Sequence, residues 1–433
     1  MTTDSNDQTT GGIYKYYALG LMVLVYVVNF IDRSILSILN QSIKEDLGVS
    51  DTAMGFLGGI AFAVFYTFVG IPIARLADTG VRRNILATCL AIWSGMTALC
   101  GLAANFGQLL AARIGVAVGE AGGSPPSHSM ISDLFPPHQR ATALGVYALG
   151  IPIGSMLGYL FGGWINEMFD WRTAFLAVGL PGIFLAVVVR LTLREPVRGA
   201  SEPGVVDDVE APPFRTVVNF LWQLKSFRYV AIGAGLHAFF FYGVGYWLPT
   251  MFFRTHGVGS LSMGQSLFML GFAGIAGTFL GGYVTDKLGA RDYRWYAWSP
   301  ALTTIVSVPF ALFSFLSDDP TQALWVYAIP YFLLATYLGP TFSIIQTLVS
   351  NRMRATASSV LFLVISLIGL GLGPQFVGIT SDVLTTHSSA GDDALRYALI
   401  AALAFNVISA ALYFMAASTV RDELEMKKAL AAQ

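Results

Sequence analysis

The chain has 433 residues, a net charge of -1, 55% hydrophobic residues and only 12% charged ones, about half the charged share of an ordinary soluble domain. That composition argues against a soluble globular fold, and the absence of basic blocks removes any electrostatic reason to expect nucleic acid. Apolar residues come in runs such as Leu19 to Phe30, Ile85 to Ala104 and Ala398 to Ala417, near the roughly 20 residues that a helix needs to cross a bilayer. The alternating strands of an outer-membrane barrel are not found.

The first fourteen residues carry two Asp and no Lys or Arg. They lead into a hydrophobic stretch too long for a signal-peptide core, so the first helix is expected to remain in the mature protein. Hydrophobic runs between charged or Pro/Gly punctuation predict helices at about 15–40, 53–75, 84–104, 106–130, 140–166 and 172–192. A polar stretch from Leu193 to Ser226 follows, with Pro196, Pro203, Pro212 and Pro213, and reads as a surface linker. Further runs fall at about 227–252, 261–285, 294–316, 322–348, 355–381 and 396–420. The expectation is an all-α membrane protein of twelve transmembrane helices in two pseudo-symmetric six-helix bundles. The bundles are residues 1–192 and 227–433, joined by the linker 193–226, with a short tail at the C-terminal end. Cys89 and Cys100 lie in one predicted helix, eleven positions apart, beyond disulfide reach.

Of the 25 Lys and Arg, Lys44, Arg172, Arg254 and Arg396 fall on one side of this arrangement, Arg33 and Arg113 fall within the membrane, and all others lie on the side of the termini and linker. The positive-inside rule then places both termini in the cytoplasm of a multi-pass membrane protein, the inner membrane if the source is bacterial. Corresponding loops also echo each other. Asp78-Thr79-Gly80-Val81-Arg82-Arg83 is followed 208 positions later by Asp286-Lys287-Leu288-Gly289-Ala290-Arg291, and Arg140-Ala141-Thr142-Ala143 is followed 214 positions later by Arg354-Ala355-Thr356-Ala357. Two anchors at nearly one offset indicate an internal duplication, a construction used by transporters that rock two halves about a central site.

The acidic residue followed by Gly and Arg in both loops resembles the loop signature of the major facilitator superfamily, and the resemblance covers nearly the whole chain. Gly80 stands one position early, Val81 occupies a usual Gly position and Thr79 replaces a basic residue; Gly282 through Arg291 fits better. Within that superfamily, Asn29-Phe30-Ile31-Asp32-Arg33 together with Arg113-Ile114-Gly115-Val116-Ala117-Val118-Gly119-Glu120-Ala121 is similar to the spinster lipid transporters. The resemblance implies sphingolipid or lysophospholipid substrates in animal members, with proton coupling proposed for some.

Charged side chains near a bilayer centre cost about 2.5–3.5 kcal/mol on insertion scales, so a helix keeps one where it faces protein or water, usually with a partner. Asp32, Arg33, Arg113 and Glu120 are the candidates. Arg113 and Glu120 are seven positions apart, two turns along one helix face. Glu120, among small residues, is expected to carry the coupling proton, with Asp32 as the second titratable group. The alternative is a fixed ion pair between the fourth and first helices. Arg113 is expected to grip an anionic headgroup with paired donors, and Arg33 to exchange partners or meet the same headgroup. Alternatively, Arg113 is an inert carboxylate partner and Arg33 snorkels to an interface.

Asp78, Arg82, Arg83, Asp286 and Arg291 are expected to act as conformational latches at cytoplasmic helix ends, besides setting topology. The seventh helix carries Phe239, Phe240, Phe241, Tyr242, Tyr246 and Trp247, of which Phe240 and Tyr246 are taken to line an apolar cavity for an acyl chain; packing is the competing role. His128 and Asp133 spell a His-x4-Asp spacing used by some acyltransferases, which is discounted as a chance match because no phosphate-binding motif accompanies it. No enzyme and no cofactor or metal is expected. The expected partners are a lipid-like substrate, protons and the bilayer, with the chain a monomer. The expected function is proton-coupled transport of an amphipathic lipid-like substrate, with a facilitator or exporter of small drugs or metabolites as the alternative.

Overall fold

The computed structural model describes residues 12–199, 201, 213–350 and 353–431. Two of the linker prolines, Pro203 and Pro212, lie outside them. Span 1 is α1 (Ile13–Leu47), and span 2 consists of α2 (Asp51–Gly58) and α3 (Ile60–Thr79). Span 3 is α4 (Arg82–Cys100), span 4 is α5 (Phe106–Glu120) with α6 (Ser124–Leu134), span 5 is α7 (Pro137–Ala148) with α8 (Gly150–Met168), and span 6 is α9 (Trp171–Thr192). The short α10 (Phe214–Gln223) precedes span 7, α11 (Lys225–His256), and span 8, α12 (Ser260–Gly289). Span 9 is α13 (Trp295–Leu316), and span 10 is α14 (Pro320–Leu334) with α15 (Leu338–Leu348). Span 11 joins α16 (Arg354–Val364) to α17 (Gly373–His387) through a π-helical stretch, Ile365–Leu372, and span 12 is α18 (Ala394–Ala431). The fold is thus all-helical with twelve spans among the described residues, as the hydrophobic runs predict. The helix α10 and the interruptions within spans are what those runs do not register.

The ends of the spans have local causes. α1 stops at Gly48, whose φ of 62° is the left-handed conformation that glycine adopts without penalty, and α11 stops in the same way at Gly257. α2 begins on Ser50, whose side chain accepts from the Ala53 amide, and α9 begins on Asp170, which accepts from the Thr173 amide. That hydrogen bond holds the Asp170 carboxyl below its usual range. In the loop before span 9, Arg294 grips Asp292 at 2.6 Å and depresses its carboxyl likewise.

The chain forms two compact units. The first comprises Met1–Val49, Ala61–Asp208 and Gly259–Phe268; the second comprises Ser50–Ile60, Val209–Val258 and Met269–Gln433. The division departs from the chain halves at two places. The start of span 2 sorts with the second unit because Arg254 grips Asp51 with both terminal nitrogens at 2.7 Å, Ser381 donates to the same carboxylate at 2.7 Å, and Asp382 accepts from the Thr52 amide at 2.7 Å. The start of span 8 sorts with the first unit, where Glu167 accepts from the Ser260 hydroxyl at 3.0 Å and the Leu261 amide at 3.1 Å.

Within the first unit, α8 lies against α1 along Gly150, Gly154, Gly158 and Gly162, four positions apart and therefore on one helix face. A Cβ added at Gly154 would stand 2.4 Å from the Val27 carbonyl oxygen, and one at Gly158 would stand 2.9 Å from that of Ile31. Small residues at such an interface let backbones approach, which is how spans associate where lipid is as apolar as leucine. α4 and α5 meet in the same way at Gly119, where a Cβ would lie 2.6 Å from the Trp93 amide nitrogen. These contacts fix the helices that carry the charged residues.

Gly154→Ala is predicted to destabilise the protein by about 1–3 kcal/mol, because backbone rather than a flexible side chain meets the new methyl. Gly145→Ala, with nothing within 4 Å of the added atom, should be neutral or mildly stabilising through helix propensity. Thermal unfolding in detergent compares the two; equal melting temperatures would remove the stripe from the packing argument.

Candidate functional site

The first unit holds four charged side chains that the sequence singles out, on α1 and α5: Asp32, Arg113 and Glu120 are buried and Arg33 is partly exposed. Asp32 and Arg33 are consecutive, so about 100° separates them around the helix, and they leave it toward different neighbours. Asp32 is fully buried and accepts from the Thr97 hydroxyl of α4 at 3.1 Å. Arg33 donates from Nε to Oε2 of Glu120 at 2.6 Å, its guanidinium 4.5 Å from the Tyr66 ring centroid, 5.0 Å from Phe30 and 5.1 Å from Phe62. Aromatic faces at such distances attract a cation. Arg33 is therefore held in mid-span rather than snorkelling to an interface.

Arg113 donates from Nη1 to the main-chain oxygen of Asp32 at 3.4 Å and stands 5.4 Å from the Phe62 ring. Arg113 and Glu120 both face inward, as two turns of one helix require, yet their access differs from that of Arg33. The side chain of Arg33 is 21% exposed, whereas that of Glu120 is 0% exposed and Arg113 as a residue is 3% exposed. The more accessible cation is Arg33. Arg113 is closed in beside the approach of α5 to α4, which Gly115 and Gly119 permit against Met96 and Trp93.

Breaking a buried ion pair typically costs about 3–5 kcal/mol, because it strands the remaining charge. The pair of Arg33 and Glu120 is consequently a two-way constraint: whatever separates them must supply another anion for Arg33 and remove the charge from Glu120. Among the described residues, Oδ1 of Asp32 and Nε of Arg113 are buried without a hydrogen-bond partner. The cluster therefore has unused capacity to meet a polar group.

Tyr66, Phe62 and Thr97 belong to this site and carry no signal in the sequence that would single them out. An aromatic or a threonine in an apolar span is ordinary, and only the folding of α3 and α4 around α1 gives these residues their role. Phe240 and Tyr246 lie in the second unit. Phe240 is fully buried, and Tyr246 donates its hydroxyl to the Met54 carbonyl at 2.9 Å, so both serve packing there rather than standing open to a ligand.

Arg82, the first residue of α4, is fully buried. It donates to Glu195 at 2.7 Å, to Ser129 at 2.7 Å and to the Pro196 carbonyl at 2.8 Å, and it also pairs with Asp133. The Arg83 amide donates to Glu195 at 2.8 Å, and its side chain to the Leu193 carbonyl at 3.3 Å. The cluster ties the ends of α4, α6 and α9 together within the first unit. Asp286 accepts from the Tyr296 hydroxyl at 2.9 Å in the second unit, while Asp78 and Arg291 make no ion pair among the described residues. Asp133 is thus the partner of Arg82, and His128 stands edge-on to Tyr147 with centroids 5.2 Å apart, which gives the His-x4-Asp spacing a packing explanation. No three His, Cys, Asp or Glu converge as metal ligands among the described residues.

The family model of the Major Facilitator Superfamily matches residues 22–374. An MFS-type efflux pump of Mycolicibacterium smegmatis is 33% identical over 412 residues, covering 94% of each chain. The hexuronate transporter of Bacillus subtilis is 26% identical over 381 residues, covering 85% of this chain and 88% of that one. The crystal structure of a bacterial homolog to the human lysosomal transporter Spinster, in an inward-facing and unoccupied conformation, superposes with a TM-score of 0.88 at 33% identity over 95% of this chain and 99% of that one. The apolar spans, ten of which are long and apolar enough to cross a membrane among the described residues, the duplicated loops and these matches agree: the chain belongs to the Major Facilitator Superfamily and is a multi-pass membrane transporter, not an enzyme.

Proposed function

We propose that the protein is a proton-coupled secondary transporter of an amphipathic lipid-like anion of the lysophospholipid or sphingolipid type. Glu120 and Asp32 carry the proton, and Arg33 with Arg113 receives the anionic head. The observation that carries this reading is the Arg33–Glu120 pair at 2.6 Å, in which the cation is partly accessible and the carboxylate is not. An anionic headgroup reaching Arg33 competes with Glu120 for it. A carboxylate that loses its cation in an apolar interior is stable only as the neutral acid, so arrival of the anion and uptake of a proton become one event. Release reverses both. The lipid class is what the resemblance of the Asn29–Arg33 and Arg113–Ala121 stretches to the spinster transporters implies.

A small organic anion is the second reading, supported by the likeness to a hexuronate transporter and by the fact that a guanidinium suits a carboxylate as well as a phosphate. Mass spectrometry of lipids co-purified with the protein separates the two: a bound lysolipid supports the first reading, and its absence together with binding of glucuronate supports the second. The transporter is proposed to act as a monomer in a bacterial inner membrane with both termini cytoplasmic, on the distribution of Lys and Arg. A green fluorescent protein fused after Gln433 should fluoresce in bacterial cells; a dark but full-length fusion would reverse the topology.

Glu120→Gln should fold and reach the membrane, keep a hydrogen-bonding group beside Arg33, and lose transport driven by a proton gradient. Proteoliposomes of that variant responding to the gradient as wild type does would move the coupling away from Glu120. Arg113→Lys keeps the charge but loses the paired donors, so binding of lysophosphatidylglycerol should weaken about tenfold or more, the worth of about 1.4 kcal/mol, and binding of an uncharged monoacylglycerol should change less. Equal losses for both ligands would make Arg113 a structural partner of Asp32 alone.

A further inference from the structure

Span 10 repeats the construction of span 4 position for position. α5 starts on Asn105, whose side chain accepts from the Gln108 amide, ends at Glu120 and resumes as α6 at Ser124. α14 starts on Asp319, which accepts from the Gln322 amide, ends at Leu334 and resumes as α15 at Leu338. Every one of these positions is 214 residues from its counterpart. In span 4 the last residue before the interruption is Glu120, tied to span 1 through Arg33. Its counterpart Leu334 has no polar side chain.

The tie is made by span 7, the counterpart of span 1. His237 of α11 is fully buried, with Nε2 2.9 Å from the Leu334 carbonyl oxygen and Nδ1 2.9 Å from the Thr304 hydroxyl of α13. Its ring stacks on Tyr337, inside the interruption, with centroids 3.9 Å apart and planes 26° from parallel. A carbonyl oxygen only accepts, so Nε2 bears the hydrogen, and when the ring is neutral Nδ1 receives the Thr304 hydroxyl. Leu334 ends its helix, which leaves its carbonyl without an intrahelical partner. The groups that face the imidazole are Thr304, Leu334 and Tyr337. Tyr242 and Tyr413 stand around Tyr337, and Tyr413 is bonded to Thr341 at 2.6 Å. No charged side chain faces His237 among the described residues.

We propose that His237 is the positioning residue of the second unit, an imidazole that caps the interruption in span 10 as the Arg33–Glu120 pair secures the interruption in span 4. Interrupted spans of secondary transporters occur where substrates and coupling ions bind, so the residue that fixes one sets the geometry of its unit. The assignment stands apart from the choice of substrate and from proton coupling, and its test needs no ligand.

Nitrogen-15 spectra of the histidine-labelled full chain in nanodiscs, with the His237 signal identified by its loss in His237→Gln, should show the Nε2–H tautomer at neutral pH. Deuterium uptake should then be followed in the peptide spanning Ala335 to Thr341. His237→Leu strands the Leu334 carbonyl and should raise exchange there about five- to tenfold, the worth of one buried hydrogen bond. His237→Gln can donate to Leu334 and accept from Thr304, and should restore the wild-type rate. A doubly protonated ring in the wild type, unchanged exchange in His237→Leu, or equal exchange in the Leu and Gln variants would each overturn the assignment. Should His237→Leu fail to fold, Thr304→Val removes the hydroxyl on Nδ1 and should raise exchange in the same peptide; an unchanged rate there overturns the assignment as well.

Discussion

A charge cannot rest in an apolar interior without a partner, and in the first unit that requirement is met by Arg33 and Glu120 at 2.6 Å. Much of the unit's local structure serves that pair. α1 must bring Arg33 and α5 must bring Glu120 to the same place, which calls for backbones that approach closely. Phe30, Phe62 and Tyr66 then surround the guanidinium, and Asp32, one residue earlier, turns to Thr97 instead of competing for the same cation. A pair of this kind contributes little net stability, because desolvation offsets most of the attraction. Its value lies in having two states, paired or exchanged for an outside anion.

Close approach is supplied by glycine. The stripe from Gly150 to Gly162 on α8 and the contact of Gly119 with α4 leave no space for a methyl. Lipid offers no hydrophobic driving force between spans, so van der Waals contact and hydrogen bonding carry the association. The polar ends of the spans are held differently. Arg82 gathers Glu195, Ser129 and Asp133 in the first unit, and Arg254 gathers Asp51 in the second. Each end is fixed by a guanidinium whose several donors satisfy several acceptors at once.

The duplication of the chain extends below the level of helices. Spans 4 and 10 share cap positions, piece lengths and interruptions, yet the residue before each interruption differs, glutamate in one and leucine in the other. The common backbone was kept while the chemistry diverged. At the interruption of span 4 a glutamate pairs with Arg33, and at that of span 10 His237 meets Thr304 and the Leu334 carbonyl instead.

The sequence by itself determined the membrane setting, the number of spans, the twofold repeat and the identity of the buried charges. Each of these depends on hydropathy, length or charge, which are properties that single residues carry along a chain. It also showed that Asp32 and Arg33 diverge and that Arg113 and Glu120 converge, since helical geometry fixes both. The linker helix α10, the interruptions in spans 2, 4, 5, 10 and 11, and the affiliation of the start of span 2 with the second unit were not legible, because they depend on which neighbour receives a backbone group. Tertiary structure alone decided that Arg33 rather than Arg113 is the accessible cation, that Arg82 is buried, and that a histidine set in a run of aromatics caps a distant helix. Partner and exposure are relations between residues far apart in the chain, and no property of one residue encodes them.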